Sequence, residues 1–421
     1  MKELSSTQQK YRRVTACRIC ESTNLRRFLN LGEIPLVNRY VDPTDREEEE
    51  TYPLELLYCL ECSLSQLSIV VDPEILYQNY LYRSSISRTF TAHCYDIAQH
   101  AVDRFKLKQT DMVLDIASND GCALREFGKF GLRVMGIDPA ENLAQIATDL
   151  GTPTIPAFWN VESATRILEN HGEASFINAM NVFAHVDNLD QFLIAVNVLL
   201  KETGVFVIEV PYLLSFVNQT EFDTTYHEHL SYFLVKPLVK QLEKHNLTVF
   251  DIKQHTIHGG SIRVYARKAA NKSIPVDTQA VQSLLQLEKE VGLHDLATYL
   301  NFSKHVMKVK TDVLDLLQKL NSQGKVVAAY GASAKGSVLS NYCGINNNLV
   351  RYVIDDTPEK QGHLTPGNNI EIVPANYLQS QRPDYLLIFA WNFAKEIMEK
   401  TQEFRNTGGR YIIPIPNVRV I

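Results

Sequence analysis

The sequence predicts an α/β protein of several domains with a small metal-binding segment near its N-terminal end. Three observations support this prediction: two Cys-x-x-Cys pairs, a strand-turn-helix pattern that begins at Met112, and a second such pattern that begins at Lys325. At 421 residues the chain exceeds the ~250–300 residues at which a single core stops growing, so two or three domains are expected.

Composition limits the classes of function. The hydrophobic content of 45% is typical of a globular protein, and the net charge of −6 argues against a general nucleic-acid binder, which needs a concentrated basic face. Met1–Ser6 lacks the apolar core of a signal peptide, and no apolar run is long enough to span a bilayer. We therefore expect a soluble, cytoplasmic protein that acts on a small molecule, without a nucleic-acid or membrane partner.

Four of the seven cysteines form two pairs with metal-ligand spacing. Cys17 and Cys20 form the first pair, and Cys59 and Cys62 form the second. In a reducing compartment such pairs indicate a metal rather than disulfides. Four thiolates complete a closed tetrahedral Zn²⁺ shell that has no position for water. The pattern predicts one structural zinc ion.

A nucleoside cofactor is predicted by two apolar strands that each end in an acidic residue. Met112–Gly121 contains a strand and a small-residue turn, and Val134–Asp138 is the next strand. A carboxylate such as Asp138 at the second strand end can accept both hydroxyls of a ribose. The turn lacks the G-x-G-x-x-G cradle for a pyrophosphate, which Asp115 and Asp120 would repel. These carboxylates favour S-adenosylmethionine, whose methionyl end is cationic, over NAD.

The same segment resembles motif I of class I methyltransferases. It departs from the usual glycine-rich form at Ala117 and Cys122, whereas Gly121 lets the backbone approach the cofactor. The resemblance implies that Asn181 and His185, in the loop after the fourth strand, lie close to the transferred methyl group. The residues expected to bind the methyl donor are Asp115, Ser118, Asn119, Gly121, Asp138 and Asn181.

The strongest concentration of proton-transfer groups is Tyr226–His229, with the sequence Tyr-His-Glu-His. It follows the apolar strand Gly204–Val210, and ligands of open α/β sheets bind beyond the carboxyl ends of the strands. A polar loop that caps a helix is the plainer interpretation of this segment alone. Ser261–Ala266 is expected to close this sheet as its last antiparallel strand.

The C-terminal part repeats the strand-turn-helix pattern. Thr278–Leu320 has the apolar spacing of helices, and Lys325–Tyr330 is a strand that runs into a small-residue turn. Such a turn at a helix N-terminus can bind an anion. We expect Gly331, Ser333 and Lys335 to bind the diphosphate or base of a nucleotide, unless the turn binds nothing. A nucleobase could also stack on Trp391 or Tyr330.

Together these segments resemble the zinc-containing, S-adenosylmethionine-dependent nucleotide-sugar C-methyltransferases. The resemblance covers nearly the whole chain and depends on the order of its motifs. These are the double Cys-x-x-Cys, I-A-S-N-D-G, N-V-F-A-H-V, T-Y-H-E-H-L-S-Y, I-H-G-G-S-I-R-V-Y and A-Y-G-A-S-A-K-G. It implies methylation at C-3 of a 4-keto-deoxysugar, with dTDP as the expected carrier, in deoxysugar biosynthesis by a monomer or small homo-oligomer.

The resemblance also implies a domain order and a set of site residues. We expect a zinc-binding domain at 1–72, a class I (Rossmann-like) methyltransferase domain at 73–270, a helical connector at 271–322 and a Rossmann-like, sugar-nucleotide-binding domain at 323–421. The expected catalytic residues are His229, Glu228, Tyr226 and His185. The expected substrate-binding residues are Tyr82, Arg83, Ser84, His258, Gly331, Ser333 and Lys335.

The chemistry requires a base for a proton next to a ketone and a donor for the developing enolate oxygen. His229 is the predicted base because imidazole titrates near working pH. Glu228 orients it or binds a sugar hydroxyl, and Tyr226 or His185 donates to the enolate oxygen. His227 is expected to point away and to be structural.

Three alternatives remain open from the sequence. The acceptor could be another nucleotide-linked or small ketone, or an oxygen instead of a carbon. The C-terminal turn could bind NAD in a reductase or epimerase, although it lacks the third glycine at the required spacing. The chain could also be a zinc-organised nucleotide-sugar-binding protein without catalytic activity.

Overall fold

A computed structural model of the chain describes residues 10–44, 49–77 and 83–421. Among them, no helix combines the length and the apolar character needed to cross a bilayer. The strands are β1 (Tyr11–Arg13), β2 (Leu25–Pro35), β3 (Thr51–Cys59), β4 (Ser65–Leu67), β5 (Ile69–Val71), β6 (Met112–Ile116), β7 (Arg133–Asp138), β8 (Thr154–Pro156), β9 (Ala174–Met180), β10 (Leu200–Pro211), β11 (Ser231–Tyr232), β12 (Leu247–His255), β13 (Ser261–Lys268), β14 (Val327–Tyr330), β15 (Val353–Ile354), β16 (Ile372–Val373), β17 (Tyr385–Ile388), β18 (Arg410–Ile413) and β19 (Arg419–Val420).

Helices connect most of these strands. The α-helices are α1 (Pro73–Tyr77), α2 (Arg88–Phe105), α3 (Cys122–Gly128), α4 (Glu141–Asp149), α5 (Val161–His171), α6 (Leu189–Leu199), α7 (Leu213–Asn218), α8 (Val235–Lys244), α9 (Thr278–Glu290), α10 (Leu296–Ser322), α11 (Ala334–Cys343), α12 (Tyr377–Ser380), α13 (Ala394–Lys400) and α14 (Gln402–Asn406). Short 3-10 turns lie at Ser84–Ile86, Phe183–His185, Phe222–Thr224, Ile257–Gly259, Pro358–Lys360 and Trp391–Phe393.

The chain folds into two compact units, and both are discontinuous in sequence. The first unit comprises Met1–Arg26, Tyr58–Tyr212 and Leu230–His294. The second unit comprises Arg27–Leu57, Leu213–His229 and Asp295–Ile421.

The first unit is built on a seven-stranded sheet with the order β12-β13-β10-β9-β6-β7-β8. Strands β6 to β10 pair with one another in parallel, whereas β13 is antiparallel to both β10 and β12. The prediction that Ser261–Ala266 is the last strand of this sheet and antiparallel is therefore confirmed. It lies between β10 and β12, however, and the edge is formed by β12, which was not predicted. This sheet of parallel and antiparallel strands, with helices between the strands, confirms the predicted α/β fold class.

Helix α2 covers one face of this sheet. Its first turn is capped by Ser87, whose hydroxyl accepts a hydrogen bond from the Phe90 backbone N–H. Four-residue spacing then places Ile97 and Ala101 on one side of the helix, where they pack in the core with Phe176 and other buried side chains of the sheet. Burial of each large side chain of this kind contributes about 1.5–3 kcal/mol. Because β6 to β10 run in parallel, their carboxyl ends lie at one edge of this sheet.

The second unit contains a six-stranded sheet with the order β16-β15-β14-β17-β18-β19. All pairs are parallel except β18 with β19. In its own chain order this is 3-2-1-4-5-6, the order of the Rossmann fold. Strands of such sheets carry ligand-binding loops at their carboxyl ends, which here include the turn after β14.

Candidate active site

The two cysteine pairs of the first unit meet as predicted. Cys17 Sγ lies 3.4 Å from Cys62 Sγ, and Cys20 Sγ lies 3.5 Å from Cys59 Sγ. All four sulfur atoms lie within 4.8 Å of one another. Because Zn–S bonds of ~2.3 Å in a tetrahedron separate the sulfurs by about 3.8 Å, this spacing fits a Zn²⁺ ion.

Matching backbone turns shape the two halves of this cluster. The Glu21 backbone N–H donates to the Cys17 carbonyl at 2.9 Å, and the Ser63 N–H donates to the Cys59 carbonyl at 3.0 Å. Glu21 and Ser63 both adopt positive φ angles, 61° and 69°. Each pair is therefore wrapped by the same kind of tight turn, which brings its two thiols to one side.

The turn after β6 has the backbone conformation of a cofactor-binding loop. Ala117, Asn119 and Gly121 all have positive φ, at 56°, 54° and 74°. Glycine adopts this conformation at little cost and asparagine is also enriched there, whereas alanine is disfavoured. Ala117 thus stands where the usual motif has glycine and still adopts a left-handed conformation. A Cβ on Gly121 would come within 2.1 Å of the Thr152 hydroxyl, so the close packing excludes larger residues.

Asp138 lies at the end of β7, beside the turn after β6. Its two carboxylate oxygens accept hydrogen bonds from the backbone N–H groups of Asn119, at 2.8 Å, and Ala140, at 2.9 Å. These two bonds fix the orientation of the carboxylate. Because each oxygen has a second lone pair, the carboxylate can still accept hydrogen bonds from ribose hydroxyls. Ser118, in contrast, is buried against Gly136, whose added Cβ would lie 2.3 Å from its hydroxyl.

The segment after residue 82 contacts the same turn. The Ser84 backbone N–H donates to Asn119 Oδ1 at 2.9 Å, and the Arg83 guanidinium lies 4.0 Å from the Asp120 carboxylate. Both residues, predicted to bind substrate, therefore lie against the predicted cofactor loop. Tyr82, predicted with them, lies outside the described residues.

Asp115 is buried at the end of β6 and accepts a hydrogen bond of 2.7 Å from the Asn178 amide. Burial raises the pKa of Asp115 to about 7 against the opposing effect of this bond. A cation placed beside this carboxylate binds its ionised form.

We expect the affinity for S-adenosylmethionine to depend on pH through Asp115. Below pH 7 the dissociation constant should rise by up to about tenfold per pH unit. The reason is that the cationic end of the cofactor binds the ionised carboxylate, so the Asp115 carboxyl group must lose its proton before it can bind. Above pH 7 it should level off. Titration calorimetry between pH 5.5 and 8.5 measures this dependence.

The Asp115→Asn variant should bind weakly and without this dependence, whereas Asp96→Asn, an exposed change on α2, should keep the parent profile. A parent affinity that is flat across the range would remove Asp115 from the cofactor site.

Asn181 and His185 follow β9 at the same edge of the first unit. Asn181 has a positive φ of 53°, and its N–H donates to the Glu209 carbonyl at 2.8 Å. Burial lowers the pKa of His185 to about 4, so its imidazole is neutral at pH 7. Its Nδ1 lies 3.4 Å from the Tyr77 hydroxyl. His258, also predicted, lies in a left-handed conformation between β12 and β13 with its ring 5.5 Å from that of Phe90.

A buried ionic cluster in this unit was not predicted. The Glu209 carboxylate, 0% exposed, contacts His93 Nε2 and Arg263 Nε, each at 2.7 Å. Burial alone would raise the pKa of Glu209, but these two partners lower it to about 2. A charged residue inside the apolar strand Val205–Val210 was the one available signal, and the sequence does not show what pairs with it.

In the second unit, His229 is held in one tautomer. Its Nδ1 lies 2.8 Å from the Thr224 carbonyl oxygen, which can only accept, so Nδ1 carries the proton. Nε2 then has the lone pair that a base requires. The Tyr226 ring lies 4.0 Å from the imidazole, centroid to centroid, because the His229 N–H and the Tyr226 carbonyl close a tight turn.

The other two residues of the Tyr226–His229 segment have different surroundings. Glu228, 4% exposed, accepts a hydrogen bond of 2.7 Å from the Asn38 amide. His227 is buried with its ring 5.7 Å from that of Tyr52, and burial lowers its pKa to about 4. His227 thus packs inside the second unit, and the structural role predicted for it stays a prediction.

The turn after β14 is closely packed. Gly331 has a φ of 97°, and a Cβ there would meet the Ala390 side chain at 2.8 Å. The Ser333 hydroxyl accepts the Gly336 N–H and caps α11. The Lys335 ammonium lies 3.3 Å from the Glu221 carboxylate. These three residues, predicted to bind a nucleotide, therefore also have contacts within the fold.

Trp391 is part of the same packing. Its indole N–H donates to Asp223 at 2.6 Å, and the Lys335 ammonium lies over its ring at 5.1 Å. Burial raises the pKa of Asp223 to about 7, against the charge of Lys335. Tyr330 in turn donates to Asp356 at 2.9 Å. Both aromatic residues considered for base stacking thus have polar anchors within the unit.

Three family models match the chain in succession. A zinc binding domain matches residues 17–77, a methyltransferase domain matches 90–252, and a C-methyltransferase C-terminal domain matches 256–416. The first match contains all four clustered cysteines. The second contains the turn after β6 and Asp138.

Among known proteins, the chain is similar to the C-methyltransferase NovU of Streptomyces niveus, with 36% identity over 97% of each chain. Among solved structures, an S-adenosylmethionine-dependent methyltransferase from Clostridium acetobutylicum shares 16% identity, with 41% of this chain and 89% of that chain covered and a TM-score of 0.34. Magnesium protoporphyrin IX methyltransferase from Synechocystis shares 11% identity, with 42% and 81% covered and a TM-score of 0.32.

Proposed function

We propose an acceptor for this chain, which belongs to the zinc-containing, S-adenosylmethionine-dependent C-methyltransferases. The proposed acceptor is a nucleotide-linked 4-keto-deoxysugar. Methyl transfer at C-3 of a dTDP-linked sugar, in cytoplasmic deoxysugar biosynthesis, is the specific form of this proposal. The observation that carries it is the His229 tautomer, because a fixed Nε2 lone pair is what enolisation next to a ketone requires.

The protein groups have separate roles in this reaction. His229 Nε2 removes the proton from C-3, and the electron pair of that C–H bond moves toward the C-4 carbonyl oxygen. A donor at that oxygen, the phenol of Tyr226 or the neutral imidazole of His185, stabilises the enolate. Glu228 binds a sugar hydroxyl. When bound, the cofactor would supply an electrophilic sulfonium methyl group; the enolate electron pair would form the bond from C-3 to the methyl carbon, and the sulfur would keep the electrons of the broken bond as the thioether S-adenosylhomocysteine.

We assign the remaining predicted residues by the same proposal. Asp115, Asn119, Gly121, Asp138 and Asn181 bind the methyl donor, with Ser118 packed beneath them. Arg83, Ser84, His258 and the turn formed by Gly331, Ser333 and Lys335 contribute to acceptor binding, with Tyr82. The domain boundaries at 72, 270 and 322 likewise remain a prediction, as does a monomer or small homo-oligomer.

The test is incubation with labelled S-adenosylmethionine and a panel of nucleotide-linked 4-keto-deoxysugars, followed by mass measurement of the products. We expect one methyl group on carbon for at least one member of the panel. The matched control is the same sugar reduced to a hydroxyl at C-4, which cannot form an enolate and should remain unmethylated. Transfer to oxygen, or equal transfer to the reduced control, would contradict the proposal.

A second measurement isolates enolisation. With S-adenosylhomocysteine in place of the methyl donor and D₂O as solvent, the enzyme should exchange one hydrogen of the acceptor for deuterium. Exchange at C-3 locates the reacting carbon without methyl transfer.

A further inference from the structure

Asn38 lies in a fixed turn of the second unit, directly after β2. The Arg39 backbone N–H donates to the Leu36 carbonyl at 3.1 Å and closes this turn. Leu36 and Val37 are buried and anchor it. Asn38 itself is half-buried. The hydrogen-bonded turn and the two buried residues before it set the position of its backbone.

The Asn38 side chain has one orientation that satisfies its partner. Its Nδ2 lies 2.7 Å from Glu228 Oε1. A carboxylate oxygen accepts hydrogen bonds, so the amide nitrogen and not the amide oxygen must face it. The Glu228 carboxylate is 4% exposed and has therefore lost most of its hydration. Asn38 thus supplies a hydrogen bond to this carboxylate and fixes its orientation.

The same chain segment is also attached to the turn after β14. The Tyr40 hydroxyl donates to the Ala332 carbonyl at 2.7 Å, and the Lys360 ammonium donates to the same oxygen at 2.8 Å. Burial, with the charges of Asp355 and Glu228, raises the pKa of Tyr40, which keeps the phenol a donor. The segment from Asn38 to Tyr40 therefore connects Glu228 with the turn that contains Ala332.

We propose that Asn38 is a positioning residue that holds the Glu228 carboxylate in the rotamer that binds a hydroxyl of the acceptor. This inference rests on the proposed function, because it assigns Glu228 to the acceptor. Asn38 does not touch the reacting atoms. Its effect is to place the Glu228 carboxylate, which binds the acceptor. Displacement of such a positioning group can lower the rate of reaction by about a hundredfold.

The first variant, Asn38→Ala, removes the donor in the full-length zinc enzyme. With an acceptor that the parent methylates, kcat/KM for the acceptor should fall by roughly tenfold to a hundredfold. The dissociation constant for S-adenosylmethionine should stay unchanged. Asn30→Ala is the matched control, because Asn30 is exposed on β2, where its side chain accepts the Gly32 N–H; it should retain the parent kinetics.

The second variant, Asn38→Asp, gives a readout that loss of stability alone would not produce. It places a second carboxyl group against Glu228, and two such groups share one proton at low pH. The protonated carboxyl group of the variant then donates as the amide did, so activity should approach that of the parent in acid. Relative to the activity of the parent at the same pH, it should fall as pH rises and the shared proton leaves.

The outcomes separate this inference from the proposed function. If the parent methylates a 4-keto sugar nucleotide while both Asn38 variants retain its kinetics and pH profile, the positioning role is wrong and the function stands. If the parent methylates no member of the panel, the function falls and the role of Asn38 falls with it. Equal melting temperatures of parent and variants, measured by circular dichroism, exclude misfolding as the cause of a loss.

Discussion

Replacement of His229 by alanine is expected to lower the turnover of acceptor by about 10²- to 10⁴-fold, the usual contribution of a general base. Affinity for S-adenosylmethionine should stay at the parent level. The His229→Asn variant should lose as much, for a sharper reason. Its amide N–H can still donate to the Thr224 carbonyl, as Nδ1 does at 2.8 Å, but no atom replaces the Nε2 lone pair.

Turnover and solvent deuterium exchange should be lost together in both variants, because the base acts before methyl transfer. His171→Ala, which changes an exposed histidine at the end of α5, is the control for the type of substitution and should leave both unchanged. Near-parent rates in the two His229 variants would transfer the role of base to His185 or Tyr226.

Loss of the zinc ion is the second large effect. The parent should contain one zinc per chain by elemental mass spectrometry. Because metal-binding free energies of roughly 10–16 kcal/mol are folding free energies in small zinc-organised segments, Cys59→Ser should lose the metal. It should also lower the melting temperature by roughly 10 °C or more.

Cys343→Ser is the matched control, since Cys343 is equally buried but lies on α11, outside the cluster. It should keep its zinc, and any loss of stability should be smaller. A parent protein that contains no zinc, or a Cys59→Ser variant with full metal content, would refute the tetrathiolate site.

Sequence alone predicted the parts of the molecule that depend on local patterns. The zinc cluster was predictable because each cysteine pair lies on one short turn, and the α/β class because strands β6 and β7 carry their acidic ends within a few residues of the apolar run. The left-handed conformation of Ala117 was not predicted, because the sequence showed only that alanine replaces the usual glycine; the backbone angles show it.

Contacts between distant residues could not be predicted. Asn38 and Glu228 are separated by 190 positions, and neither residue has a neighbour whose identity indicates the other. The same holds for His93, Glu209 and Arg263, which meet only because α2, β10 and β13 pack together. Strand β12 was missed because its burial depends on pairing with β13, which its own sequence does not specify.

The discontinuity of the two units has a consequence for biosynthesis. The second unit takes residues from three separate stretches, Arg27–Leu57, Leu213–His229 and Asp295–Ile421. During translation its first stretch leaves the ribosome long before the last one exists, so this unit cannot be completed until residues 295–421 have been made. Exchange of the unit between related enzymes by recombination requires all three stretches to be transferred together, because a single crossover would join partners that never packed against each other.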